Sequence, residues 1–253
     1  MAGTDSSRQA VLGGPAIVLV RPQLAENIGA CARAMLNFGL DEMRLVAPRD
    51  GWPQDKARAM ASRADAVLDH AKLYADTPAA IADLSLVLAT TARPRDMTKP
   101  VITPREAAAE CRRALAVGEK VGVLFGAERA GLDNDDVVRA QAIVAVPANP
   151  AFASLNLAQA VLLFGYEWFQ TGDPPPAEPG EPRATAADLA NFYARLELAL
   201  DEAGFLFPPE KRPAMVRNIR NIFARGGLTT HEVSTLHGIL SALMKLGARP
   251  NGK

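Results

Sequence analysis

Cysteine is nearly absent from this chain of 253 residues; the two present are Cys31 and Cys111. Neither has a CxxC partner, so a disulfide framework is excluded as the organising principle and a reduced, cytoplasmic protein is expected. Histidine is equally scarce, and the three at positions 70, 231 and 237 form no metal-ligand pattern, so no metal is expected. Charge of one sign is lacking too: 28 basic residues face 28 acidic ones. A global positive field therefore cannot be the basis for a nucleic-acid partner. No run of about 18 apolar residues occurs, so no membrane span is expected. The stretch after Leu155 comes nearest, but Gln159 and Glu167 interrupt it. The opening "MAGTDSSRQAVLGGP" has no continuous apolar core and suggests no signal peptide.

Ready-made catalytic signatures are missing as well. The first apolar run is followed by "RPQLAENIGACARAMLNFGL", not by G-x-G-x-x-G, and no Walker A sequence or G-x-S-x-G elbow occurs. An ordinary dinucleotide-dependent oxidoreductase, P-loop or hydrolase reading loses ground accordingly.

What is present is a large apolar fraction, 49%, sufficient for a sizeable core. Short apolar runs at 16–20, 43–47, 84–90, 120–126 and 142–147 read as buried strands. Helix candidates lie near 25–38, 53–63, 104–117, 133–140 and 154–170. This alternation predicts an α/β fold with a mostly parallel sheet and helices on both faces. The segment 172–182, "GDPPPAEPGEP", holds five prolines and two glycines and reads as a semi-rigid linker. A catalytic domain over 1–171 and a small all-helical domain over 183–253 are expected on either side of it. The charge splits with the boundary: residues 1–171 carry 18 basic and 19 acidic side chains, residues 183–253 carry 10 and 6.

Within 211–225, "KRPAMVRNIRNIFAR", five cations occur without an acid. Pro213 suits a first helical turn. Met215, Val216, Ile219, Ile222 and Phe223 make an apolar stripe, with Arg217, Arg220 and Arg225 broadly opposite. Two readings stand side by side: a solvated basic face, or a helix that contacts phosphates.

Three loops follow late strands: "ATTARPRD" (89–96), "FGAERAGLDN" (125–134) and "VPANPAFASLN" (146–156). Ligands of open α/β sheets bind beyond the carboxyl ends of strands, so three such loops can form one pocket. Gly126 and Gly131 allow conformations or approaches that a Cβ would obstruct. Ser154 and Asn156 flank the start of the last helix and either cap it or face a ligand. In the first helix Ile28, Met35 and Leu36 share a face, Gly29, Ala30 and Ala34 permit close packing, and Gly39 is a good stop. Arg33 points away from that face. As a lone arginine it reads as solvated or salt-bridged.

Together, "ENIGACARAMLNFGL", "VLFGAERAGLDN" and "NPAFASLNLAQAVLL" resemble the three ordered motifs of the SPOUT-class RNA 2′-O-methyltransferases, over nearly all of 15–170. The helical extension, with "FLFPPEKRPAMVRNIRNIF" and "LHGIL", further resembles the TrmJ type. That resemblance implies a homodimeric enzyme with a trefoil knot at the carboxyl end of its catalytic domain. It implies S-adenosylmethionine as cofactor, tRNA as partner, and methylation of the ribose 2′-OH of nucleotide 32, cytidine or uridine, in the anticodon loop. It implies catalytic roles for Arg33, Asn27, Glu128, Ser154 and Asn156. Cofactor contacts are implied for Thr90, Thr91, Ala92, Gly126, Glu128, Gly131, Val146, Ser154, Leu155 and Asn156. Arg33, Arg217, Arg220 and Arg225 are the expected RNA contacts. An arginine is a poor general base because its pKa exceeds about 12. Arg33 is therefore expected to hold a phosphate and stabilise a developing alkoxide. The rival readings are another tRNA or rRNA site, and a non-catalytic RNA-binding protein that keeps the fold.

Overall fold

The computed structural model describes residues 11–91, 99–172 and 181–247. In chain order the first part holds β1 (Ala16–Val20), α1 (Ala25–Asn37), β2 (Met43–Val46), α2 (Asp55–Ala61), α3 (Asp65–Asp69), β3 (Lys72–Tyr74) and α4 (Thr77–Ile81). Next come β4 (Leu86–Thr90), β5 (Val101–Ile102), α5 (Pro104–Ala116), β6 (Val121–Phe125), α6 (Asn134–Val138), β7 (Ala142–Val144) and α7 (Leu157–Gln170). The last part is α8 (Ala186–Glu202), a 3-10 turn at Pro209–Lys211, α9 (Arg212–Ala224) and α10 (Thr230–Gly247).

The strands form one sheet in the order β3-β2-β1-β6-β4-β7-β5, and every pairing is parallel. All five expected strands are there, most of them a residue or more shorter than their apolar runs. β3 and β5 are the additions: short edge strands whose Leu73 and Val101 are exposed, so neither leaves a buried apolar run in the sequence. Inner strands are covered on both sides. Ile17 and Leu19 of β1 join the core under α1, α5 and α7, whereas Val18 and Val20 join the core under α4 and α6. That two-sided burial is why the strands read as unbroken apolar runs and not as alternation.

α1 and α2 meet backbone to backbone: a Cβ on Gly29 would stand 1.9 Å from the Ala57 carbonyl oxygen. α1 ends at Gly39, whose φ of +73° suits the left-handed stop, with the Leu40 amide returning to the Met35 carbonyl at 2.9 Å. α7 joins the same core, its Phe164 edge-on to Phe125 of β6 at 6.3 Å.

The last three helices pack around Phe192, which meets Phe223 in a T-shaped contact at 5.0 Å. They are joined to the sheet part by backbone bonds. The Ala186 and Ala187 amides donate to Leu84 and Ala82 carbonyls at 2.9 and 3.2 Å. α9 does not use the expected stripe unchanged: Ile222 is exposed and Asn221 is buried in its stead. Arg220 pairs with Glu197 of α8 at 2.7 Å, Arg217 approaches Asp135 of α6 at 4.0 Å, and Val216, Asn221 and Ala224 are the buried positions of the helix.

Gly29→Ala should destabilise the protein by about 1–3 kcal/mol, the cost of overpacking, although Ala is the better helix former by about 1 kcal/mol. A fall in Tm of several degrees checks this; an unchanged or raised Tm contradicts the close α1–α2 contact.

Candidate active site

β6, β4 and β7 are neighbours in the sheet, so their carboxyl-terminal loops meet. Thr90 and Thr91 come from the first loop, Gly126, Glu128 and Gly131 from the second, and Val146, Ser154 and Leu155 from the third; all line one cleft. Ala92 lies outside the described residues. The described walls bound a cleft of about 140 Å³, below the roughly 300–1,000 Å³ usual for ligand pockets.

The walls are fixed from behind. The Thr90 hydroxyl donates to the Leu124 carbonyl at 2.9 Å, and the Thr91 amide to the Val144 carbonyl at 3.1 Å. Gly126 is required by space: a Cβ there would stand 2.1 Å from the Leu132 nitrogen, because the loop folds back on itself through an Ala127–Gly131 bridge. Gly131 adopts a φ of +68° in that reversal.

Glu128 is the anchor of the cleft. Its carboxylate accepts from the Gln23 amide at 2.8 Å, the Leu24 amide at 3.1 Å and the Asn27 side-chain amide at 2.8 Å. Leu24 is the N-cap residue of α1 and offers no side-chain cap; the Glu128 carboxylate takes the two amides just before the helix and sets a negative charge at its positive end. Partial burial pushes the Glu128 carboxyl up, but the Asn27 and backbone donors outweigh it and hold its pKa below the ordinary 4.5. Glu128 is therefore a fixed anion, not a group poised to exchange protons near neutrality.

Asn27 passes the constraint on. Its side-chain oxygen accepts from the Asn156 amide nitrogen at 3.0 Å. The Asn156 oxygen accepts from the Ala158 amide at 2.9 Å, and Gln159 closes a capping box at the start of α7. Asn156 thus caps the helix and joins the polar chain at once. Ser154 stands in the loop before the helix, on the cleft wall, and the capping role is not its own.

Arg33 stands apart. Six residues beyond Asn27, it is about 120° around α1, exposed, with its guanidinium donating to the Ser62 hydroxyl at 3.2 Å. The helical part offers a mixed answer. Arg220 is bound to Glu197 at 2.7 Å and lies over Tyr193, Arg217 approaches Asp135 at 4.0 Å, and Arg225 is exposed at the end of α9.

Among the described residues lining the cleft, the ionisable side chains are Glu128 and Arg129. Those described walls offer more to hold a reactant in place than to move a proton. Sequence reading missed the Gln23 and Leu24 amides, which have no side-chain signature. It also missed the pair Asp133 and Asp136, which form a capping box at α6; the acid spacing in "LDNDD" is its only trace.

The sequence profile of the SpoU rRNA Methylase family matches residues 14–166, and that of the tRNA methyltransferase TrmJ C-terminal domain matches residues 187–252. The chain is 38% identical over 242 residues to the tRNA (cytidine/uridine/adenosine-2′-O-)-methyltransferase TrmJ of Pseudomonas aeruginosa, covering 91% of this chain and 93% of that protein. It is 37% identical over 234 residues to the tRNA (cytidine/uridine-2′-O-)-methyltransferase TrmJ of Salmonella typhimurium, covering 90% and 95%. The crystal structure of TrmJ from Z. mobilis ZM4 superposes with a TM-score of 0.84 at 48% identity, over 92% of this chain and 100% of that one.

The sign of the Glu128 effect is testable. A lowered folded pKa gives stability that is complete above the ordinary 4.5 and is lost as pH falls through the folded value. Glu128→Gln should cost about 1–2 kcal/mol at pH 7. The gap between wild type and variant in urea midpoint should shrink as pH drops below 4.5; a gap that is constant with pH contradicts the anchoring role.

Proposed function

The chain belongs to the SpoU methylase family, and from that premise we propose that it is an S-adenosylmethionine-dependent tRNA ribose 2′-O-methyltransferase acting on nucleotide 32, cytidine or uridine, of the anticodon loop. The observation that carries the reading is the chain Asn156–Asn27–Glu128 at the mouth of a cleft built by three strand-end loops. The match to the TrmJ C-terminal domain favours tRNA over ribosomal RNA as the substrate. A tRNA substrate in turn supports a cytoplasmic location.

The residues suit the cofactor. The cleft is lined mostly by neutral and small side chains, and its Gly126 wall keeps its shape only with glycine there, since a Cβ would strike the loop's own backbone at Gly131 and Leu132. Bound there, S-adenosylmethionine supplies a methyl group from a sulfonium. Backbone groups at Thr90, Thr91, Val146 and Leu155 serve to recognise a neutral heterocycle. Ser154 and Asn156 stand on the ribose side.

The ribose hydroxyl gives its proton to water as the new bond forms. Glu128, held as an anion and already engaged by three donors, is a positioning residue and not the acceptor. Arg33 is the group proposed to hold the neighbouring phosphate and stabilise the developing alkoxide. Its place outside the cleft of its own chain supports a homodimer whose site is completed by Arg33 of a second copy. The trefoil knot belongs to the same proposal, as an implication of the family. In the helical part Arg225 is best placed to meet phosphate, while Arg217 and Arg220 must share themselves with Asp135 and Glu197. Among the described residues no helix is long and apolar enough to cross a membrane.

Purified protein should transfer labelled methyl from S-adenosylmethionine to tRNA. Asn156→Ala should lower kcat by about 100-fold, the scale of a misplaced reactant, while costing about 1 kcal/mol of stability for the lost cap. If kcat falls no more than that stability loss accounts for, Asn156 is only a cap; if wild type labels no tRNA, the functional reading is wrong.

A further inference from the structure

Arg21 is the residue just after β1, and it breaks a local rule. Its φ is +51°, a left-handed conformation that non-glycine residues seldom adopt. The backbone is held there by its amide donating to the Val46 carbonyl at 2.8 Å and by the Arg49 amide on the Pro22 carbonyl at 3.0 Å. Strain of this kind persists where surrounding contacts over-determine it, and it clusters at functional sites.

The side chain explains what the conformation achieves. One guanidinium nitrogen donates to Asp133 at 2.9 Å and also to Asp136. Asp136 is 4% exposed and is fixed from the other side by the Thr77 hydroxyl at 2.6 Å. Asp133 and Asp136 also cap one another's backbone at the start of α6. They stand at the far end of the loop that begins at Gly126 and carries Glu128.

Two ties therefore run between the same two loops, in opposite senses. The Gly126 loop sends the Glu128 carboxylate to the Gln23 and Leu24 amides. The 21–24 loop sends the Arg21 guanidinium to Asp133 and Asp136. The part of the cleft wall at Arg129 and Gly131 lies between these anchors, with Glu128 on one side and Asp133 and Asp136 on the other.

We propose that Arg21 is a positioning residue for methyl transfer, acting by clamping the Gly126–Leu132 wall of the cleft to the loop that leads into α1. The inference rests on the methyltransferase reading for its catalytic consequence, but the clamp itself is measurable without turnover.

The test compares wild type with Arg21→Gly, which keeps the left-handed backbone and removes the guanidinium, and with Arg21→Lys, which restores one cation. Amide hydrogen exchange over residues 126–132 should speed at least about tenfold in Arg21→Gly, as local opening becomes easier. With tRNA and S-adenosylmethionine, kcat should fall at least about tenfold while KM for tRNA stays within about threefold, and Arg21→Lys should recover part of the loss. Unchanged exchange, or a folded Arg21→Gly with wild-type kcat, overturns the clamp. A loss in KM alone overturns it too, because it assigns Arg21 to RNA binding. If Arg21→Gly does not fold, Asp133→Asn, which alters only the more exposed carboxylate, carries the same two readouts. Wild type that labels no tRNA defeats the functional reading, while the exchange result still decides the clamp.

Discussion

A carboxylate set against the start of a helix organises this molecule. Leu24 opens α1 without a side chain that can cap it, and Glu128, more than a hundred residues away, accepts the Gln23 and Leu24 amides instead. The same acid holds Asn27, and Asn27 holds Asn156 at the start of α7. One anion thus fixes the entry angle of α1, the shape of the Gly126 loop and the register of α7. Its depressed pKa is the electrostatic trace of that arrangement.

Two conditions allow the tie to form. Gly126 lets the loop fold back where a Cβ would strike the Leu132 nitrogen. Gly29 lets α1 lie directly on the Ala57 carbonyl, which brings the helix start within reach of the β6 loop. Both glycines serve close approach, and neither depends on a positive φ. The sheet supplies the rest, because parallel neighbours β1 and β6 deliver their carboxyl-terminal loops to the same end.

Much of this was legible in the sequence, and the rest was hidden for physical reasons. The inner strands announced themselves as apolar runs because both faces are covered, whereas β3 and β5 are short, partly exposed edges and left no run. α3 and α4 have five residues each and fell outside the expected helices, whereas α6, equally short, lies within the expected helix near 133–140. The three loops pointed to one pocket, and every proposed cofactor contact among the described residues except Asn156 lines it. Asn156 stands just behind, where the cap and the polar chain meet. What composition and spacing cannot show is a tie to backbone amides, so the partners of Glu128 stayed invisible. Arg33 faces Ser62 in its own chain, and the ion pairs that occupy Arg217 and Arg220 depend on how α9 docks on α6 and α8.

The helical part stays connected to the cleft through α6, whose acids face Arg217 on one side and Arg21 on the other. The helix proposed to contact RNA and the cleft wall therefore share one short element. The most direct test is mass-spectrometric mapping of ribose methylation in tRNA from cells with and without this protein. The account predicts loss of the 2′-O-methyl mark at nucleotide 32, restored by wild type and not by Asn156→Ala. An unchanged mark, or restoration by Asn156→Ala at the wild-type level, would contradict it.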